Sequence, residues 1–280
     1  MEKMIDVFGG SGFVGGRFCE LTNNTVKKDK YNFVSTSNEV LYFISTVDNY
    51  NVYTNPYIDI DTNLTTLIRV LETCKGRDVT FNFISSWFVY GDVEMPAKET
   101  AICDPKGFYS ITKRAAEQLL ISYCETFNIK YRIIRLANVL GTTDKKVSKK
   151  KNALQFMINK VLRGEDIELY DGGDMYRDYI HVDDVVKAIN LIMEFGELNE
   201  IYNVGNGQKI SIRQSLEYVK RKTNSKSNFI PIEPAVFHKI VQVKNMVLDI
   251  TKVRKLGYQP KFTIEDTLDS FILQYNFTTM

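Results

Sequence analysis

A short apolar run, Met4-Ile-Asp-Val-Phe8, passes directly into Gly9-Gly-Ser-Gly-Phe-Val-Gly15 and then into a helical stretch reaching about Leu21. No other feature constrains the chain as much. A buried parallel strand, a glycine-rich turn and a helix N-terminus form one unit. Its open end offers backbone N–H groups and a partial positive charge. The spacing Gly9-x-x-Gly12-x-x-Gly15 differs from the commoner G-x-G-x-x-G, but its physics is similar, because small residues let the backbone approach a pyrophosphate. Gly9, Ser11, Gly12, Phe13, Val14 and Gly15 are thus the first candidate ligand residues, with a dinucleotide as their ligand.

Further strands are expected at Tyr31–Ser35, Val40–Ile44, Thr80–Ile84 and Tyr131–Leu136. Between them, apolar residues recur at helical spacing over Thr62–Lys75, and a helix is expected from Tyr109 to Phe127. Strands alternating with helices, and apolar on both faces, predict an α/β fold: a Rossmann-like doubly wound parallel sheet. Ligands of such sheets lie beyond the carboxyl ends of the strands. Ser35, Ser45-Thr46, Ser85-Ser86 and Asn138 fall at such ends. From Gly141 the character changes to basic loops, short strands and helices at Ala153–Arg163, Asp183–Phe195 and Ser211–Lys222, with a last helix from Ile264. The division expected is a dinucleotide-binding domain over 1–140, to which about 176–206 returns, and a smaller substrate-binding lobe over most of 141–280.

The chemistry is carried by Phe108-Tyr-Ser-Ile-Thr-Lys-Arg114. Tyr109 and Lys113 are four apart and share one helix face, so both can reach one small target. A phenol with a pKa of about 10 is a poor base at neutral pH, and a neighbouring ammonium together with an oxidised nicotinamide favours its phenolate. Either motif alone is common. A glycine loop followed by this pair points to nicotinamide-dependent carbonyl or alcohol chemistry.

Composition excludes several alternatives. A net charge of +2 over 280 residues argues against a nucleic-acid binder, and the one basic run, Lys145-Lys146 with Lys149-Lys150-Lys151, reads as a solvated loop. No apolar run approaches the ~20 residues of a membrane span. Cys19, Cys74, Cys103 and Cys124 have no metal-ligand spacing, and His181 and His238 stand far apart, so no metal is expected. The cysteines read as reduced thiols of a cytoplasmic protein.

The glycine loop, Ser85-Ser-Trp-Phe-Val-Tyr-Gly91, Tyr109-x-x-x-Lys113 and Arg177-Asp-Tyr-Ile-His-Val-Asp-Asp184 occur together in this order. In this the chain resembles the extended short-chain dehydrogenase/reductase family, in its nucleotide-sugar epimerase, dehydratase and reductase branch. The likeness extends through Leu136-Ala-Asn138-Val-Leu-Gly141 to Leu248-Asp-Ile-Thr-Lys252. It implies that Ser86 bonds the reacting sugar oxygen, Tyr109 is the acid/base and Lys113 holds the nicotinamide ribose. Asn63 would support the cofactor-side strand ends. Asn138, Asn152 and Arg177 would lie on the nucleotide-diphosphate sugar, Arg177 as a bidentate phosphate ligand; the alternative for Arg177 is a salt bridge to Asp183 or Asp184. These two acids read as helix caps.

Two departures matter. The Asp-Glu pair of the family's dehydratases is replaced by Trp87 and Phe88, which disfavours elimination of water unless Glu94 or another carboxylate substitutes. The stretch before Val40 is also too short for a full crossover helix, and no acid closes the expected second strand at Ser35-Thr-Ser-Asn38. That region is similar to the NADP-dependent GDP-fucose synthases. It tilts the cofactor toward NADP, with Arg17 or Lys27, Lys28 and Lys30 as sources of charge, while Glu39 keeps NAD open. No late substrate arginine is evident; Lys239 or Lys244 lies in that neighbourhood. The expectation is hydride chemistry at sugar C4, as a 4-ketoreductase or as a 4-epimerase with bound NAD, with a non-catalytic nucleotide-binding scaffold as the remaining alternative. The family also implies a homodimer through the 62–75 and 109–127 helices.

Overall fold

The computed structural model describes the chain apart from residues 1–2, 48, 145–147, 149–150 and 280. Most of the basic run therefore lies outside the described residues; Lys151 is paired with Asp144 at 3.1 Å. The first strand, β1 (Ile5–Phe8), leads through the glycine loop into helix α1 (Phe13–Leu21). The following strands are β2 (Thr25–Lys27), β3 (Glu39–Tyr42), β4 (Thr80–Ser86) and β5 (Lys130–Leu136), and a last strand Glu200–Val204 completes a six-stranded sheet. All its pairings are parallel, and the spatial order is Glu200–Val204, β5, β4, β3, β1, β2.

The strand expected at Tyr31–Ser35 is absent; β2 lies earlier, at Thr25–Lys27. The reason is a buried carboxylate. Asp6, fully buried in β1, accepts the backbone N–H groups of Thr36 and Ser37, the Ser37 hydroxyl at 2.9 Å and the Lys28 ammonium at 3.1 Å. These bonds draw the 28–37 segment into a loop, with Tyr31 and Val34 exposed. As expected, no crossover helix separates β2 from β3. The chain steps from β2 at the edge back across β1 to β3, so the direction of winding reverses between β1 and β3. That reversal opens a crevice at the strands' carboxyl ends.

Strand alternation supplies both faces. Val7, Leu41 and Ile134 pack with Phe18 of α1 and with Val185 and Ile189 of the Val182–Phe195 helix. Phe8, Val40, Tyr42, Phe81 and Ile133 pack on the other side with Leu67 and Leu71 of the Thr66–Glu72 helix and Leu120 of the Phe108–Phe127 helix. The expected 62–75 helix thus begins as a π-helical turn at Asp61–Thr65. A third core joins Leu154, Ile158, Ile167, Leu216 and Leu268. It is built by the helices Ala153–Leu162, Ile212–Thr223 and Ile264–Thr279 and by the parallel pair Ile167–Tyr170 and Phe229–Ile232. This third core is the smaller C-terminal lobe.

Candidate active site

Gly9 ends β1 with φ +81°, and a Cβ there would stand 3.0 Å from both Ile44 N and Phe43 Cβ. At Gly15 a Cβ would fall 2.5 Å from Gly9 O, so only glycine lets α1 turn this tightly behind the strand. Gly12 is the N-cap, with extended backbone and no side-chain cap, and the first turn carries no acid. Ser11 and Gly12 are exposed, with Phe13 and Val14 half-buried behind them. The loop therefore presents uncapped N–H groups and the positive end of a helix dipole, and it fits a pyrophosphate.

Phe43 and Ile44, against Gly9, lead directly to Ser45 and Thr46. Gly107 (φ +83°) then admits the Phe108–Phe127 helix, whose Tyr109 N–H is capped by Asn49 Oδ1 at 3.1 Å. The Ser86 and Ser45 hydroxyls lie close enough to the Tyr109 phenol to favour its ionised form. Burial pushes this phenol above its ordinary value, the two serines pull it back, and the carboxylate of Asp59 pushes it up further. Asn63 accepts the Ser45 hydroxyl at 3.1 Å and the Thr46 N–H at 2.9 Å. It donates to Thr46 Oγ1 and Thr112 Oγ1, each at 2.9 Å. Ser45, Thr46 and Asn63 thus form one hydrogen-bonded group, which Thr112 ties to the Tyr109 backbone.

Lys113 is buried one turn further along, and its Nζ donates to Ile84 O at 2.8 Å and lies 4.2 Å from the Phe83 ring centre. Burial pushes this ammonium down to about 7, opposed by Glu117. Glu117, a turn beyond, is buried too and accepts a fork from Arg135 at 2.9 and 2.7 Å and one bond from Arg114 at 2.8 Å. Where a proton-moving pair would follow Ser86, Trp87 and Phe88 stack at 3.9 Å, and Phe88 meets the Tyr109 ring edge-on at 5.7 Å. Glu94 is exposed on the following loop.

Other expected ligands lie elsewhere. Ser35 is buried just ahead of β3, at the amino-terminal end of the strands, where it binds Thr73 and Arg77, so it is removed from the crevice. Both terminal nitrogens of Arg177 are spent on carbonyls: Nη1 on Tyr176 O and Lys244 O at 2.9 and 2.6 Å, and Nη2 on Val243 O at 2.7 Å. Its guanidinium carbon lies 5.3 Å from the Trp87 ring centre. It makes no salt bridge to Asp183 or Asp184, and its fork is turned to backbone carbonyls. Asp183 is held by Arg17 at 2.6 and 3.0 Å, and Asp184 accepts the N–H groups of Lys261 and Phe262. The cap of the Val182–Phe195 helix is instead the His181 ring. Asn138 donates to Asp178 O at 3.2 Å. Asn152 (φ +59°) reaches Val139 O at 3.4 Å, which ties it to the Asn138–Leu140 strand.

Arg17 and Lys28 are likewise engaged, and Glu39 is buried against Asn82 at 2.7 Å. Lys239 is paired with Glu233 at 3.1 Å. The end of β2 holds exposed Lys27, Asp29 and Lys30, and Lys27 Cγ would be 3.1 Å from a Cβ on Gly10. Asp29 went unnoticed in the sequence because the strand was placed too late. Asp59, Thr112, Asn49 and Glu117 were also missed. For Glu117 the signal is its position one turn after Lys113; for Asn49 and Asp59 the sequence carries none.

The model of the NAD dependent epimerase/dehydratase family matches residues 19–205. The chain belongs to that family. The match begins beyond the glycine loop, which stands on its own geometry. A putative UDP-glucose 4-epimerase of Methanocaldococcus jannaschii is 27% identical over 241 residues, covering 85% of this chain and 76% of that one. An Escherichia coli dTDP-4-dehydro-6-deoxyglucose reductase is 25% identical over 185 residues, 66% of this chain and 57% of the relative. Among solved structures, the Thermotoga maritima UDP-glucose 4-epimerase with UDP-glucose superposes with TM-score 0.87 at 24% identity, covering 99% of both chains. RMD from Pseudomonas aeruginosa complexed with NADPH gives 0.85 at 20% identity, covering 99% and 100%. At these identities the structural likeness is one of fold. Among the described residues, no helix is long and apolar enough to cross a membrane and no cluster of His, Cys, Asp and Glu is arranged to hold a metal.

Proposed function

We propose that this protein is a nicotinamide-dependent oxidoreductase acting at C4 of a nucleotide-diphosphate sugar, in the direction of a 4-ketoreductase. The observation that carries this reading is the convergence of Tyr109 and Lys113 on the end of the strand that carries Ser86, with Phe88 edge-on to the Tyr109 ring and Lys113 on Ile84 O, beside the glycine loop. Gly9, Ser11, Gly12, Phe13, Val14 and Gly15 would hold the pyrophosphate, and Ser45, Thr46, Asn63, Tyr109 and Lys113 the nicotinamide end. When bound, the nicotinamide supplies a hydride to the keto carbon. Tyr109 gives its proton to the sugar oxygen, and Ser86 donates a hydrogen bond to the same oxygen. The Lys113 ammonium stabilises the phenolate left behind. In this reading residues 1–140, joined by 176–206, bind the dinucleotide, and the remainder of 141–280 meets the sugar nucleotide through Asn138 and Asn152. Arg177 contributes by holding the 243–244 segment in place.

The exposed lysines Lys27 and Lys30 beside the loop favour NADP, because a 2′-phosphate brings charge to that end. Asp29, at the same place, supports the second reading, a 4-epimerase with bound NAD; the Methanocaldococcus jannaschii relative is named a putative UDP-glucose 4-epimerase. The Trp87–Phe88 stack weighs against dehydration. We also include a homodimer, to which exposed Ile111 and Leu119 of the Tyr109 helix would contribute.

A thermal-shift titration with NADPH, NADP, NADH and NAD, followed by incubation with a 4-keto nucleotide sugar, tests the proposal. Stoichiometric oxidation of NADPH is expected. Interconversion of two sugars without net oxidation would select the epimerase. No thermal shift with any of the four would leave a scaffold that lacks cofactor.

A further inference from the structure

Two short helices from distant parts of the chain lie against each other: Asn51–Thr54, after β3, and Val236–Val241, after the strand Phe229–Ile232 of the smaller lobe. Helices of four and six residues are too short to be stable alone, so each depends on what it packs against. Phe237 meets Tyr53 edge-on at 4.8 Å and lies 5.2 Å from the Tyr50 ring. The Tyr50 hydroxyl is hydrogen-bonded to His238 Nε2 at 2.6 Å. On its other side the His238 ring lies 4.6 Å from Tyr170, at the end of the strand Ile167–Tyr170. His238 thus links the two lobes.

The chain then crosses the site. Val241 is buried against Gly107, where a Cβ would stand 2.9 Å from Val241 Cγ1. The same Cβ would be 2.6 Å from Asn49 Oδ1, the atom that caps the Tyr109 N–H. Further on, Val243 O and Lys244 O are held by Arg177, which lies over Trp87. Residues 236–244 therefore pass from the segment after β3 to the end of β4, over the first turn of the Tyr109 helix. Their two ends differ. Val243, Met246 and Leu248 are buried in the core, and the arginine's bonds to the carbonyls are charge-assisted. The other end rests on half-buried rings, with Val236, Ile240 and Tyr53 exposed. Segments with few buried contacts are the ones that open while the core stays folded. Gln242, in extended backbone, stands at the joint.

We propose that residues 236–244 form a strap over Tyr109, fixed at Arg177 and latched by Phe237 and His238 onto Tyr50 and Tyr53, whose release admits the sugar nucleotide. This rests on the crevice being the site proposed above. Tyr109 is buried, and the strands and long helices around it belong to the core. The latched end is the part of the wall that can yield, and closing it again keeps water from the phenol.

Hydrogen exchange of the ligand-free protein, read by mass spectrometry, tests this. His238→Ala and Phe237→Ala should each speed exchange roughly two- to tenfold, as loss of an aromatic contact or hydrogen bond predicts. The acceleration should occur at 236–242 and 107–111 together, while 243–248 exchanges as in the wild type. Ile240→Ser, on the exposed side of the same helix, should change neither region. If Phe237→Ala does not fold, Tyr53→Ala removes the same contact from an exposed position. Faster exchange at 236–242 with 107–111 unchanged would mean that the segment does not cover Tyr109. No acceleration in either region, or an equal one in Ile240→Ser, would mean that there is no latch. Each of these results overturns the proposal. Neither nicotinamide nor sugar is needed, so a protein that binds neither would defeat the proposed function and leave this result readable.

Discussion

Lys113 and Arg177 are both buried cations that the sequence directs toward a ligand, yet their surroundings are opposite. The Lys113 ammonium has one carbonyl partner, Ile84 O, and burial takes it down to about 7. Arg177 gives three bonds to the carbonyls of Tyr176, Val243 and Lys244 and lies over Trp87. A cation with donors to spare next to the reacting phenol can act on what binds there. A cation bonded to three carbonyls from two stretches of backbone holds two segments of the protein together. The motif alone does not distinguish these cases; the number of backbone segments the cation ties together does.

The largest effect should separate them at once. Lys113→Met is expected to lower kcat by roughly 10²–10⁴ while the protein stays folded, in the range typical of acid–base machinery. Arg177→Lys, by contrast, should leave kcat within a few-fold and cost about 2–4 kcal/mol in chemical denaturation, because carbonyls lose their charged donors. A stable Arg177→Lys protein with a strongly raised KM for the sugar nucleotide would undo the distinction.

A second consequence lies in pH. The folded value of Lys113, about 7, is below its ordinary 10.5. Between these values the unfolded chain holds a proton that the folded chain has released, so stability rises with pH across the window. Below it both states are protonated and the cost of burial is fully present. The stability difference between Lys113→Met and wild type should therefore be greatest near pH 6 and shrink by a few kcal/mol, in order of magnitude, towards pH 10. A difference independent of pH would mean that the ammonium is not desolvated.

The smallest effects concern the loop. Gly15→Ala drives a Cβ to 2.5 Å from Gly9 O and should lose about 1–3 kcal/mol of stability, with weakened dinucleotide binding by calorimetry. At Gly12 the nearest atom is 3.3 Å away, and alanine there should cost less in stability than in binding.

The sheet was legible because its strands are apolar on both faces and the glycine loop fixes the first crossover. The second strand was misplaced because Tyr31-Asn-Phe-Val-Ser35 has strand-like composition, whereas Thr25-Val-Lys27 has little of it. What decides between them is Asp6, whose hold on Lys28, Thr36 and Ser37 spans thirty positions and is invisible to any local pattern. The Ser86, Tyr109 and Lys113 positions followed from spacing. Asp59 did not, since a charged residue between isoleucines reads as solvent-facing, and only tertiary contacts with Thr46 and Asn51 reverse that.

β2 is the border of the sheet, three residues long and ending in an exposed lysine. An unpaired border of that kind is where another chain would otherwise add itself, and brevity with positive charge is how proteins discourage it. The same lysines that border the glycine loop therefore also act against fibre-like self-association of an otherwise strongly apolar sheet.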